Sequence, residues 1–321
     1  NLGTISLSTC HRPLYPIYTK FGTIVADITY TSGTDTTHLD SPSCVYLDSK
    51  KNIYICDTNN HRIMKYSSDN PKEGIVIIDY FSNVNHPQNL YIDQRNDDLY
   101  FLDYDDEDYY RVQYLSNNST QIKAIILFIG NKCHSYGMVL DYNRNIYVSE
   151  NENHRIVKWL SPKYNDFIIV AGSNRPGTQS HELSNPRGIY LNPVNNDLYV
   201  SDSNRVQLWP SESLIGQTVV PSYFRSIFSI TRDCHGNLYV IDDYTHIIRL
   251  FSQSNEDTGM QGLIIVGVPY EGDRMNIDKN GTDYLGAPKG LYLDDETGDL
   301  YIADAGFHRI LKMSINGSFI P

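Results

Sequence analysis

Apolar and polar residues alternate along this chain in short runs broken by turn-forming residues. Residues 185–209, NPRGIYLNPVNNDLYVSDSNRVQLW, show the pattern. Ile189 and Leu191 alternate with small or polar neighbours, which predicts a strand, here called a. NPVNND is rich in residues that tolerate the backbone angles of a turn. LYVSD then predicts strand b and RVQLW strand c. A fourth apolar run, strand d, follows strand c in five places: residues 74–80, 122–130, 166–172, 216–220 and 262–268.

The unit recurs. YICDTNNHRIMKY begins at Tyr54, YVSENENHRIVKW at Tyr147, YVSDSNRVQLW at Tyr199, YVIDDYTHIIRLF at Tyr239 and YIADAGFHRILKM at Tyr301. A degraded copy, YFLDYDDEDYYRVQY, begins at Tyr100. The steps between the lead tyrosines are 46, 47, 52, 40 and 62 residues. A period of roughly 40–50 residues is that of a four-stranded propeller blade. The prediction is therefore all-β: one six-bladed propeller of four-stranded antiparallel blades over residues 21–321, preceded by an N-terminal arm, residues 1–20. The sixth copy lacks a following d strand. GTIVADI (22–28) is expected to supply it, so that the N-terminal strand joins the last blade and closes the ring without an open edge.

These copies resemble the NHL-repeat family of six-bladed β-propellers. The signature is carried by Asn60-His61-Arg62-Ile63, Asn153-His154-Arg155-Ile156, Asn204-Arg205-Val206, His246-Ile247-Ile248 and Phe307-His308-Arg309-Ile310. The resemblance covers roughly residues 21–315.

Asp57, His61 and Arg62, met singly, have the residue types of an active site. Their recurrence argues for architecture. The acid after strand b returns as Asp57, Asp103, Glu150, Asp202, Asp242 and Asp304. The basic residue that opens strand c returns as His61–Arg62, His154–Arg155, Arg205, His246 and His308–Arg309. A carboxylate at the b–c turn is expected to accept backbone N–H groups and a neighbouring guanidinium. No residue is assigned a catalytic role.

The chain reverses three times per blade. The b–c turns and d–a connections therefore emerge on one face, face A, and the a–b turns and c–d loops on the other, face B. Face A carries the longest segments, residues 267–288 and 171–186, and the acidic loop DYDDEDYY (103–110). Binding of a protein or glycan is expected there. Asp103, Asp105, Asp106 and Asp108 are weak candidates for holding Ca²⁺, since their spacing is not that of an EF-hand.

The competing reading is a metal-dependent enzyme. Some propellers of this group resemble peptidyl-α-hydroxyglycine amidating lyases, and that resemblance implies zinc held by three His around the channel. The residues at the start of strand a, blade by blade, are Ser41, His86, His134, Asn185, Tyr223 and Ala287. Only His86 and His134 are histidines, fewer than the three protein ligands of a catalytic zinc site. No nucleophile elbow or phosphate-binding loop is present.

Composition adds three points. The chain has 321 residues, 26 of them Tyr, and aromatic residues suit strands. With 26 basic and 38 acidic residues its net charge is −12, which argues against nucleic-acid binding. No apolar run is long enough for a membrane span.

The five cysteines include no C-x-x-C pair. Cys44 on strand a faces Cys56 on strand b and is within disulfide reach. Cys10 in the arm and Cys234 in the fifth a–b turn both fall on face B, so a bridge between them would pin the arm. Cys133 is left over, free or paired with another chain. Glycosylation acceptors occur at Asn117, Asn118, Asn280 and Asn316. Together these predict a secreted, non-enzymatic interaction or structural module. The alternating LGTISLS in the arm suggests self-association by strand addition.

Overall fold

The computed structural model describes residues 10, 16–27, 31–68, 70–118, 123–221, 224–253, 261–268 and 281–316. Six antiparallel sheets of four strands follow one another around a ring. The first blade is a Pro42–Leu47, b Ile53–Asp57, c Arg62–Ser67 and d Asn70–Ile78. In the sixth blade, Pro288–Leu293 is a, Leu300–Asp304 is b and Arg309–Met313 is c. Its outermost strand is Thr23–Ala26, paired antiparallel with Arg309–Met313. Among the described residues, helix is confined to single 3-10 turns such as Thr58–Asn60 and Ala305–Phe307.

Every b strand from the first blade to the last has its residues buried on both faces. The reason is the packing. The apolar clusters lie between blades, not within one: Val45, Ile55 and Met64 of the first blade pack against Tyr301, Ala303 and Ile310 of the sixth. Tyr100 and Val112 of the second likewise meet Met138 and Val148 of the third. A blade therefore offers both faces to neighbours, and only its outer strand d meets solvent. The d-strand residues Ile75, Ile125, Phe167, Ile168, Leu263 and Ile264 are exposed accordingly.

The a strands converge on the axis, and there the chain uses glycine. A Cβ on Gly188 would lie 2.7 Å from Ser229 Cα in the next blade, and one on Gly290 would lie 2.7 Å from Ser43 O. Only a residue without a side chain allows that approach. In two blades a serine on strand b secures the same spot: Ser149 Oγ accepts the Gly137 N–H at 2.9 Å and Ser201 Oγ accepts the Gly188 N–H at 2.7 Å. In the first blade the matching pair is Cys44 and Cys56, opposite in register and joined as a disulfide with Cα atoms 5.1 Å apart.

Cys10 and Cys234 form the second disulfide, with Cα atoms 5.6 Å apart. The end of the arm lies on its own chain. Tyr18 is buried, bridges Ile315 and donates its hydroxyl to Gly298 O at 3.1 Å. Thr19 N–H reaches Ser314 O at 2.9 Å. The alternating segment LGTISLS lies outside the described residues. Cys133 is a free thiol, one of its two expected states. It is buried, and burial, followed by the charge of Glu150, pushes its thiol up to about 12. A neutral, enclosed thiol is a weak nucleophile.

Candidate functional site: blade corners and central channel

The recurring acids sit at the b–c corners on face A. Asp57 accepts the Asp40 N–H at 2.6 Å and the Arg62 Nε–H at 2.6 Å. Asp304 accepts Gly286 N–H at 2.6 Å, Ala287 N–H at 3.2 Å and Arg309 Nε–H at 2.9 Å. Asp202 takes Arg205 Nε–H at 2.6 Å and the Ser184 N–H. Glu150 takes Arg155 Nε–H at 2.5 Å and the Tyr110 hydroxyl at 2.8 Å. The Asp corners thus tie the b–c turn to the d–a connection before it, while Glu150 ties its turn to Tyr110 in strand c of the second blade. The guanidiniums extend the tie: Arg62 also donates to the carbonyls of Thr34, Asp35 and His38. The fifth blade differs. Asp242 accepts the Thr245 N–H at 3.2 Å, and its nearest cation is Arg249, two residues further along strand c, at 3.7 Å.

The signature histidines do something else. His61, His154, His246 and His308 all have left-handed backbone, with φ of 51°, 52°, 56° and 53°. This conformation turns the ring away from its own corner. His154 Nδ1 accepts the Asn185 N–H at 3.1 Å and His308 Nδ1 accepts the Ser41 N–H at 3.2 Å. His61 Nδ1 lies 3.3 Å from the His86 N and 2.8 Å from Asn85 Oδ1. In all three the ring reaches the residues that lead into the next blade's strand a.

The metal candidates are not assembled. His86 packs edge-on against His61 with ring centroids 4.0 Å apart, and burial, then the charge of His61, holds it below the usual imidazole range. His134 is paired with Glu152 instead. Tyr223 lies outside the described residues, and Ser226 takes the equivalent place in the fifth blade: its carbonyl accepts the Asp243 N–H as His134 O accepts that of Asn151. Among the described residues, the one metal-capable trio is Cys10, Cys234 and His235, and its two sulfurs are joined in the disulfide. The acidic loop divides as well. Asp103 is buried in an ion pair with Arg111 at 2.8 Å, while Asp105 accepts the N–H groups of Glu107 and Tyr109 as a turn cap. Asp106 and Asp108 are exposed. Of the sequons, Asn117, Asn118 and Asn316 are exposed, and Asn280 lies outside the described residues.

The concave feature is the axis itself. A cavity of about 550 Å³ is lined by all six a strands and extends to the a–b turn residues Gln94, Arg95, Tyr142, Asn196 and Asp295 on face B. Among the described residues, its rim lies on face B. Midway lies a ring of side chains at one register level: Tyr46, Tyr91, Val139, Tyr190, Thr231 and Tyr292. Each is paired across to the lead tyrosine of its own repeat. Tyr46 stands 5.3 Å from Tyr91 and 4.5 Å from Tyr292, ring to ring. Burial raises the phenols of Tyr46, Tyr91, Tyr190 and Tyr292, so they stay neutral hydroxyls. The sequence reading missed this ring, although a tyrosine eight or nine residues before the lead tyrosine in four copies marks it.

Fold and corners together define a class, the six-bladed β-propeller with NHL-type blades. The NHL repeat model matches residues 39–66, which hold strands a, b and c of the first blade. No curated protein sequence matches the chain. Among solved structures it is similar to a protein of unknown function from Bacteroides thetaiotaomicron, with TM-score 0.69 and 13% identity over 92% of this chain and 76% of that one. It is similar to virginiamycin B lyase from Staphylococcus aureus, with TM-score 0.57 and 13% identity over 89% of this chain and 99% of that one. A chain of the nidogen/laminin complex gives TM-score 0.55 and 19% identity over 66% of this chain and 76% of that one. Identities this low show a shared fold, and function has to be argued from the site.

Proposed function

We propose that this protein is an extracellular, non-enzymatic binding module that takes its ligand into the central channel from face B. The observation that carries the reading is the cavity of about 550 Å³ with its ring of four neutral tyrosines. That volume lies within the usual range for small-molecule sites, and aromatic walls with a few polar groups are the usual lining. The two disulfides support an oxidising compartment outside the cytoplasm. The corner carboxylates are engaged by arginine and backbone donors, which makes them scaffold. The blades supply rigidity, so the site is preorganised and loses little entropy on binding.

The test is ligand-observed NMR with a fragment library on the wild type and on Val139→Trp, which fills the channel at the tyrosine level. Binders that disappear in the variant, with the melting temperature retained, support the reading. Binders unaffected by the plug place the binding surface elsewhere and overturn it.

A further inference from the structure

The charges along the channel are unequally matched. At the face-B end, where Asp295 also lines the cavity, four carboxylates have cations of their own. Asp93 is held by Arg95 at 2.7 Å and Arg144 at 3.1 Å, Asp141 by Lys158 at 3.1 Å, Asp294 by Lys51 at 2.8 Å and Asp48 by Lys65 at 3.2 Å. At the inner end the balance reverses. Lys289 lines the cavity beside Tyr136 and Phe228, and no carboxylate among the described residues pairs with it. The nearest anionic group in charge terms is Asp243, and that is already taken by Arg187 at 3.2 Å. Arg187 is itself fixed, with Ser226 Oγ at 3.1 Å and its guanidinium over the rings of Tyr136 at 5.7 Å and Phe228 at 5.1 Å. Already paired with Asp243, it adds a second positive charge near Lys289.

We propose that the channel takes a small organic carboxylate, with the carboxylate against the Lys289 ammonium and an apolar or aromatic body against the tyrosine ring. This rests on the channel being the binding site. A half-buried ammonium without a counter-ion is costly to keep charged, and an entering carboxylate supplies the missing charge-assisted hydrogen bond. In the free protein burial draws the Lys289 amine below the usual lysine range, Asp243 opposing and Arg187 adding to the effect. One ammonium suits a monoanion; a phosphate dianion would call for more free donors than this end offers. The hydroxyls of the tyrosine ring can turn toward polar atoms on the ligand body.

The experiment is calorimetric or NMR titration of the full chain with phenylacetate, its neutral amide phenylacetamide, and a short peptide ending in a phenylalanine carboxylate. Phenylacetate is expected to bind, and phenylacetamide to bind at least about tenfold more weakly. Lys289→Met is expected to erase that preference, and Lys289→Arg to keep it, both with melting temperatures near that of the wild type. The Lys289 ε-carbon resonance should titrate at higher pH once phenylacetate is present, which a merely structural lysine would not show. Tighter binding of the peptide, equally dependent on Lys289, identifies a chain terminus as the source of the carboxylate and supports the same chemistry. Equal binding of acid and amide overturns the carboxylate proposal while leaving the channel reading intact. Binding by none of the three overturns the proposal, and a plug-insensitive fragment profile overturns the reading beneath it.

Discussion

The Nδ1 atom of His308 accepts the backbone N–H of Ser41 at 3.2 Å, across 267 residues of sequence. The contact joins the last blade to the first, and His154 makes the same one to Asn185 between the third blade and the fourth. Both acceptors sit on left-handed backbone, and so do both donors, with φ of 50° at Ser41 and 51° at Asn185. The histidine of the repeat is therefore an inter-blade tie. His308→Ala should cost about 1 kcal/mol, the net worth of one hydrogen bond, with extra strain from alanine at positive φ. His308→Asn tolerates that backbone and carries an acceptor oxygen, and should recover part of the loss. Urea denaturation of the two variants separates them. Equal losses would show that the ring's acceptor atom contributes nothing.

The first blade uses a disulfide where the third and fourth use a serine–glycine hydrogen bond. Cys44 stands where those blades have Gly137 and Gly188, and Cys56 where they have Ser149 and Ser201. The double variant Cys44→Gly/Cys56→Ser should rebuild the hydrogen bond of its neighbours. It should retain more stability than Cys44→Ala/Cys56→Ala, by about 1 kcal/mol. Thermal unfolding under non-reducing conditions reads the difference. If the two double variants melt together, the proposed equivalence of bridge and hydrogen bond is wrong.

The corner repeat made the blades legible. Once the acid after strand b and the base before strand c were seen to recur at blade-sized intervals, architecture outweighed chemistry at Asp57 and Arg62. The facing of Cys44 and Cys56 followed from the register set by a turn centred near Lys50. What sequence could not show was convergence. Tyr46, Tyr91, Tyr190 and Tyr292 are far apart along the chain and meet only because the blades close around an axis. Lys289 reads as an ordinary strand lysine until its place on the cavity wall, with no counter-ion among the described residues, is seen in three dimensions. Loop length points to face A as a binding face, and most of its longest loop, residues 269–280, lies outside the described residues.

Asp304 and Arg309 are wholly enclosed, each 0% exposed as a side chain. Burial pushes the Asp304 carboxyl up, with Arg309 and the Gly286 and Ala287 N–H groups pulling it back. Arg309→Met removes the cation and leaves the carboxylate buried, a change that costs about 3–5 kcal/mol. Adding Asp304→Asn should recover a substantial part, because a neutral amide no longer needs a counter-charge and can still accept the two backbone N–H groups. A double-mutant cycle by chemical denaturation measures this. Additive losses in the double variant would show that the two side chains stabilise the corner independently.

Asp48 opens the first a–b turn and couples stability to acid. Burial works to raise its carboxyl, but the Asn52 side chain and backbone N–H and the Lys65 ammonium outweigh it and hold the group below the ordinary value of 3.8. Asp93 and Asp294, at the same turn in the second and sixth blades, are depressed in the same way. A carboxylate more acidic in the fold than in the open chain stabilises the fold fully above its unfolded value. That contribution is lost as pH falls through the lower folded value. Asp48→Asn has no such proton to gain. The wild type should therefore lose more stability than Asp48→Asn on going from about pH 5 to about pH 2, while both respond alike above about pH 6. Urea unfolding at each pH gives the two curves. Parallel curves through the acid limb would mean that Asp48 binds its proton equally in the folded and unfolded chain, and the turn network would then carry no acid sensitivity.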